Sequence, residues 1–104
     1  MSGATNFAEH LAKDRRLVIL RLLVEARGEA GESALEKGLR MYGHRVGVDR
    51  DVVRAELRFL VEAECVVTQV LDDRVMVATI TKRGVACAEG NIVVPGVAEP
   101  SIGI

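Results

Sequence analysis

"DRDVVRAELRFLVEA", residues 49–63, decides how this 104-residue chain is read. Asp49 is a good helix N-cap, because its short carboxylate can accept from a backbone N–H in the first turn. Val53, Leu57, Leu60 and Val61 then recur at helical spacing on one side. Arg54 and Arg58 project away from that side, with Arg50 nearer the boundary in the first turn. The stretch predicts a helix with one buried side and three outward arginines.

On the N-terminal side, the linker "GHRVGV" (43–48) follows a short helix in which Leu35, Leu39 and Tyr42 fall at i, i+4, i+7, opened by a Ser33–Glu36 capping box and stopped at Gly43. The polar connector "RGEAGE" (27–32) separates it from a first helix running from Asn6, with Glu9 as its reciprocal cap, to Arg27 and closing at Gly28. On the C-terminal side, the runs 65–71 and 74–80 are rich in β-branched residues and meet at Asp72-Asp73, which predicts a hairpin. Thr81 then caps a last short helix, "TKRGVACAEG". Three helices, a hairpin and a closing helix give an α+β, mainly α, winged helix-turn-helix domain over residues 1–90. Residues 91–104, "NIVVPGVAEPSIGI", carry two prolines and one charged side chain and read as an extended C-terminal arm lying on its own domain or on a partner.

The composition is 49% hydrophobic but 3% aromatic, with no Trp, so the core must be built from Leu, Val, Ile and Ala. Within the first helix, "RLVILRLLVEA" is apolar at 17, 18, 19, 20, 22, 23 and 24, wider than one buried face requires. The extra cover is expected from a second copy packing on Leu17, Ile19, Leu22 and Leu23, with the C-terminal arm folding back as the alternative. Cys65 and Cys87 sit among apolar neighbours with no CxxC spacing or nearby His, so they read as small buried hydrophobes, and neither a metal nor a cofactor is expected. No apolar run approaches the roughly 20 residues needed to span a bilayer, and a cytoplasmic protein is expected.

The net charge of −1 removes the global basic excess typical of nucleic-acid binders, so any contact with duplex DNA must rest on a local patch. In a helix-turn-helix, Arg50 and Arg54 would read base edges and Arg58 would touch phosphate. Arg45 before the helix, Arg74 in the wing, and Lys82 and Arg83 after it would support them. Against this stand Asp49, Asp51, Glu56, Glu62 and Glu64, some placed at i−3 or i+4 to pair with Arg54 and Arg58, and Asp72-Asp73 at the hairpin tip, which would repel phosphate. A solvated face laced with ion pairs is the competing reading, and a protein-interaction module the competing function. Phe59 would then be an anchor for a partner, or else pack under the second helix or the tail. Catalysis is not expected, since His10 and His44 stand without any nucleophile, metal-binding or phosphate-loop motif.

Taken together, "FAEHLAKDRRLVILRLLVEA", "YGHRVGVDRDVVRAELRFLVEAECV" and "VATITKRGVACAEGNIVVPGV" resemble a small winged-helix family of Mu-like bacteriophages and prophages. The shared motifs are an Asp-Arg-Arg start, a Gly-His before the third helix, an Arg-Asp-x-Val-Arg-x-x-Leu core, a Thr-x-x-Gly closing helix and a Val-Pro-Gly-Val tail. The resemblance covers nearly the whole chain. It implies a phage or prophage protein of the bacterial host cytoplasm with a fold similar to winged-helix transcriptional regulators, in which Arg50, Asp51 and Arg54 match the third-helix pattern. The expectation is a homodimeric DNA-binding regulator; a module docking on a phage or host protein is its alternative.

Overall fold

Apolar residues at 17–20 and 23 carry the first helix, α1 (Asn6–Glu25), through the middle of the molecule, where all five are buried. The computed structural model describes residues 6–100, and the side chain of Asn6, with its expected cap, lies outside that description. A left-handed Arg27 and Gly28 end α1, the Gly28 N–H donating to the Leu23 carbonyl at 2.7 Å. The chain then forms β1 (Glu29–Gly31), α2 (Glu32–Met41), α3 (Arg50–Glu62), β2 (Val66–Leu71), β3 (Val75–Ile80) and α4 (Lys82–Ala88). The three strands make one antiparallel sheet in the order β1-β3-β2.

Several local expectations are corrected. "RGEAGE" is no mere connector, because Glu29, Ala30 and Gly31 pair with Thr79, Ala78 and Val77. That pairing delivers the chain straight into α2, which starts at Glu32 with Gly31 as its cap and no side-chain capping bond. Ser33 and Glu36 therefore form no capping box, and Tyr42, expected in the apolar stripe, is an exposed C-cap. The third helix follows expectation at its start, where Asp49 accepts from the Val52 N–H at 2.9 Å. Val53, Leu57 and Leu60 are buried, whereas Val61 is exposed on the far side.

Asp72 and Asp73 both adopt left-handed backbone, with φ of 52° and 56°, and turn β2 into β3 as the hairpin required. Thr81 caps α4 by accepting from the Gly84 N–H at 3.0 Å. Gly84 is there for a second reason: a Cβ at this position would run into the Cys65 carbonyl oxygen and meet Ile80 Cγ1 at 2.7 Å. Helix propensity would favour alanine by about 1 kcal/mol, but a backbone obstacle cannot rotate away, and overpacking costs about 1–3 kcal/mol or more. Gly84→Ala is therefore expected to lower the thermal midpoint; a variant as stable as the parent would mean that α4 is free to slide.

The arm lies on its own domain. Val94 and Val97 are buried, and the Ala98 N–H donates to the Lys13 carbonyl at 3.1 Å. Phe59 packs beneath it, so close to Gly96 that a Cβ there would enter the ring. Residues 101–104 of the arm lie outside the described residues.

Candidate nucleic-acid interface

The first turns of α3 and the β2–β3 turn enclose an open cleft of about 520 Å³ lined by Arg50, Arg54, Asp72, Asp73, Arg74 and Val75. Bonded to the lining Arg54 is Glu32, the first residue of α2, which is 2% exposed. Both Glu32 oxygens are taken by Arg54, from Nε at 2.6 Å and Nη2 at 2.9 Å, and the Met76 N–H adds a third hydrogen bond at 2.9 Å. The forked guanidinium holds the carboxyl well below its ordinary range, at about 2, against the desolvation that pushes it up. Arg54 also donates through Nη2 to the Arg74 carbonyl at 2.7 Å. One side chain thus ties α2, α3 and the hairpin together.

This corrects the role expected of Arg54. With Nε and Nη2 engaged in the fold, only Nη1 has no partner among the described residues, so the bidentate fork that reads a guanine is already spent on Glu32. Arg50 is different: its side chain is 59% exposed, and its nearest carboxylate is Glu32 at 4.0 Å. Arg45, in the loop before α3, and Arg58, two turns along it, are exposed and form no ion pair among the described residues. Lys82 and Arg83 belong elsewhere. Arg83 donates to the Ala63 carbonyl at 2.9 Å, at the opposite end of α3, about 18 Å of helix from Arg50. The seven candidates therefore split into a cleft group of Arg50, Arg54 and Arg74, a separate Arg45 and Arg58, and a distant pair.

The ion pairs expected along α3 itself are also absent among the described residues. Glu56, 4% exposed, instead receives Arg15 at 2.8 Å and Arg16 at 2.7 Å, both from α1. A signal for this was in the sequence: position 56 falls within the stripe of Val53, Leu57 and Leu60, where an acid must be buried and find cations on another element. No comparable signal announced Glu32.

Leu17, Ile19 and Leu23, expected to meet a second copy, are 4%, 0% and 0% exposed within a single chain. The wide apolar girth of α1 is covered by α2, α3, α4 and the arm, so these three are core and cannot form an interface in the folded state. Leu22 alone reaches the surface, where it lies against Gly38 and lines an apolar groove of about 490 Å³ between α1, β1 and α2.

No protein-family model matches the chain, and no solved structure matches it. Among curated proteins it is 46% identical over 90 residues to the uncharacterized protein gp26 of Escherichia phage Mu, covering 86% of this chain and 91% of that one. It is 42% identical over 83 residues to an uncharacterized protein of Haemophilus influenzae, covering 80% and 79%. The chain belongs to the family of phage Mu gp26.

In this gp26-family chain the motifs quoted above become one another's partners. Asp14 accepts the buried His44 at 2.8 Å, joining the Asp-Arg-Arg start to the Gly-His turn. Arg16 bonds Glu56, donates to the Gly96 carbonyl at 2.9 Å and stacks 3.7 Å from the centre of the Phe59 ring, so it also holds the Val-Pro-Gly-Val tail. Cys65 and Cys87 are free and buried, and burial pushes both thiols up, away from nucleophilic chemistry. No cluster of His, Cys, Asp or Glu among the described residues could hold a metal, and no described helix is long and apolar enough to cross a membrane.

Proposed function

We propose that this chain is a winged-helix protein that binds duplex DNA through the N-terminal end of α3 and acts as a small phage regulator in the host cytoplasm. The fold reading is supported by the order α1-β1-α2-α3-β2-β3-α4 with a β1-β3-β2 sheet, in which α2 and α3 are the helix-turn-helix and the β2–β3 hairpin the wing. The observation that carries the functional reading is the exposed Arg50 beside Arg74 and the anchored Arg54 at the start of that helix. Arg50 is the base reader on this view, Arg45 and Arg58 touch phosphate, and Arg54 sets the angle between helix and wing. Lys82 and Arg83 fall outside the DNA footprint.

Fluorescence anisotropy with duplex fragments from the protein's own genomic region tests this. Binding should weaken steeply between about 50 and 200 mM salt. Arg50→Ala should cost at least about 1 kcal/mol with the preferred fragment only, whereas Arg58→Ala should weaken all fragments alike and lower the salt slope by about one. Absence of binding at the lowest salt would sink the proposal. That outcome would favour docking on a phage or host protein, a reading supported by the Asp72-Asp73 tip, whose charges oppose phosphate.

A further inference from the structure

The sheet ends on an open edge. β2 pairs with β3 on one side, and no strand among the described residues pairs with the other. It reads "VVTQVL", six residues without a charge or a proline, of which all but Val66 are exposed. Val67, Val70 and Leu71 are 56%, 49% and 44% exposed. Edge strands left to face water are normally blunted by lysine, proline, a bulge or shortness, because unpaired main-chain groups on an apolar strand recruit another strand. The opposite edge obeys this, since β1 has three residues and begins with Glu29. β2 carries none of these devices.

We infer that β2 is an interface between two copies of this chain, pairing antiparallel with the partner's β2 to make a continuous six-stranded sheet. A two-fold axis perpendicular to the sheet keeps each face on its own side, so residues of equal parity must oppose one another. Placing the axis at Gln69 sets Val67 against the partner's Leu71 and Thr68 against the partner's Val70. A shift of the axis to Thr68 would set Val67 against the partner's Gln69 and waste the apolar match. The outer face then extends across both copies through Val67, Leu71 and the neighbouring Val75 of β3.

The ends of the strand are complementary in charge under the same register. Asp72 and Asp73 of one copy arrive at the Cys65–Val66 end of the other. There Arg83 bonds the Ala63 carbonyl, which holds one cation near the strand's start. Glu64, at that same end, arrives by the partner's Arg74. The surface is distinct from the α1 groove and touches the arginine cleft only at the hairpin tip, through Asp72, Asp73 and Arg74; the inference does not require DNA binding.

Sedimentation equilibrium of the full chain over micromolar concentrations should show a monomer–dimer equilibrium. Val67→Lys, at a site exposed in the single chain, should raise the dissociation constant at least about tenfold while leaving circular dichroism unchanged, because symmetry counts the lost cross-strand pair twice. Gln69→Cys should yield a covalent dimer with oxidised glutathione, since directly opposed residues place Cβ atoms about 4.5–5.5 Å apart, close to disulfide reach. Thr79→Cys, on the same face of the central strand, should not. A chain that stays monomeric throughout overturns the inference. So does a dimer indifferent to Val67→Lys that Gln69→Cys fails to trap, and the cross-link decides alone if Val67→Lys does not fold.

Discussion

Glu56→Ala is expected to cost about 3–5 kcal/mol of folding stability, the range for removing one partner from a buried ion pair. The Glu56 side chain is 6% exposed, and it neutralises two guanidiniums whose side chains are 19% and 18% exposed. Without it, Arg15 and Arg16 confront each other across a small cavity, and α1 loses its polar tie to α3. A domain of this size has about 5–15 kcal/mol in all, so one substitution takes a large fraction of it. Glu56→Gln should cost less, because the amide oxygen still accepts one N–H, and Arg15→Ala less again, because Arg16 then keeps the carboxylate paired. Urea melts of the three variants check the ranking. A loss below about 1 kcal/mol for Glu56→Ala would class the pair with surface salt bridges and remove this account of how the helices are joined.

Acid is expected to withdraw stability through Glu32. Its carboxyl lies at about 2 in the folded chain against an ordinary 4.5, so the ionised form is favoured by folding. That stability is present in full above pH 4.5 and is lost as the pH falls towards 2. The shift corresponds to at most about 3 kcal/mol, and water reaching the cleft, where Arg54 is 28% exposed, reduces this to about 1–2 kcal/mol. Between pH 5 and pH 2.5, the parent should therefore lose about that much more stability than Glu32→Gln, which has no proton to gain. Parallel pH profiles would refute the assignment. At neutral pH, Glu32→Ala should cost about 2–3 kcal/mol, below the full penalty of a buried orphan charge because Arg54 can turn partly into solvent.

What could be read from the chain, and what could not, divides along the range of the forces involved. Asp49 and Thr81 cap through bonds three residues away, and the Asp72-Asp73 turn needs only its own backbone, so short stretches declare them. Phe59 packs under the tail because Gly96, lacking a Cβ, leaves room for its ring. β1 was illegible because Glu29-Ala30-Gly31 has no β-branched residue, and its strand character is imposed by β3. The width of the apolar band on α1 was visible, but the layers that cover it come from α4 and the arm, far away in sequence. Arg54 shows the limit most sharply: spacing alone placed it facing outward, while its partner Glu32 lay in a stretch with no periodicity at all.

The arm makes closure of the domain a long-range event. Lys13 and Ala98 are joined by a backbone hydrogen bond, and Arg16 reaches the carbonyl of Gly96, so the first helix is completed by residues far along the chain. While a ribosome is still holding back residues 94–98, α1 and α3 have emerged but Phe59 and the Arg16 guanidinium have no lid. Closing that loop carries the entropic cost of long sequence separation. The nascent domain thus waits, apolar side open, for its tail. A frameshift or early stop near position 90 would leave that side open permanently.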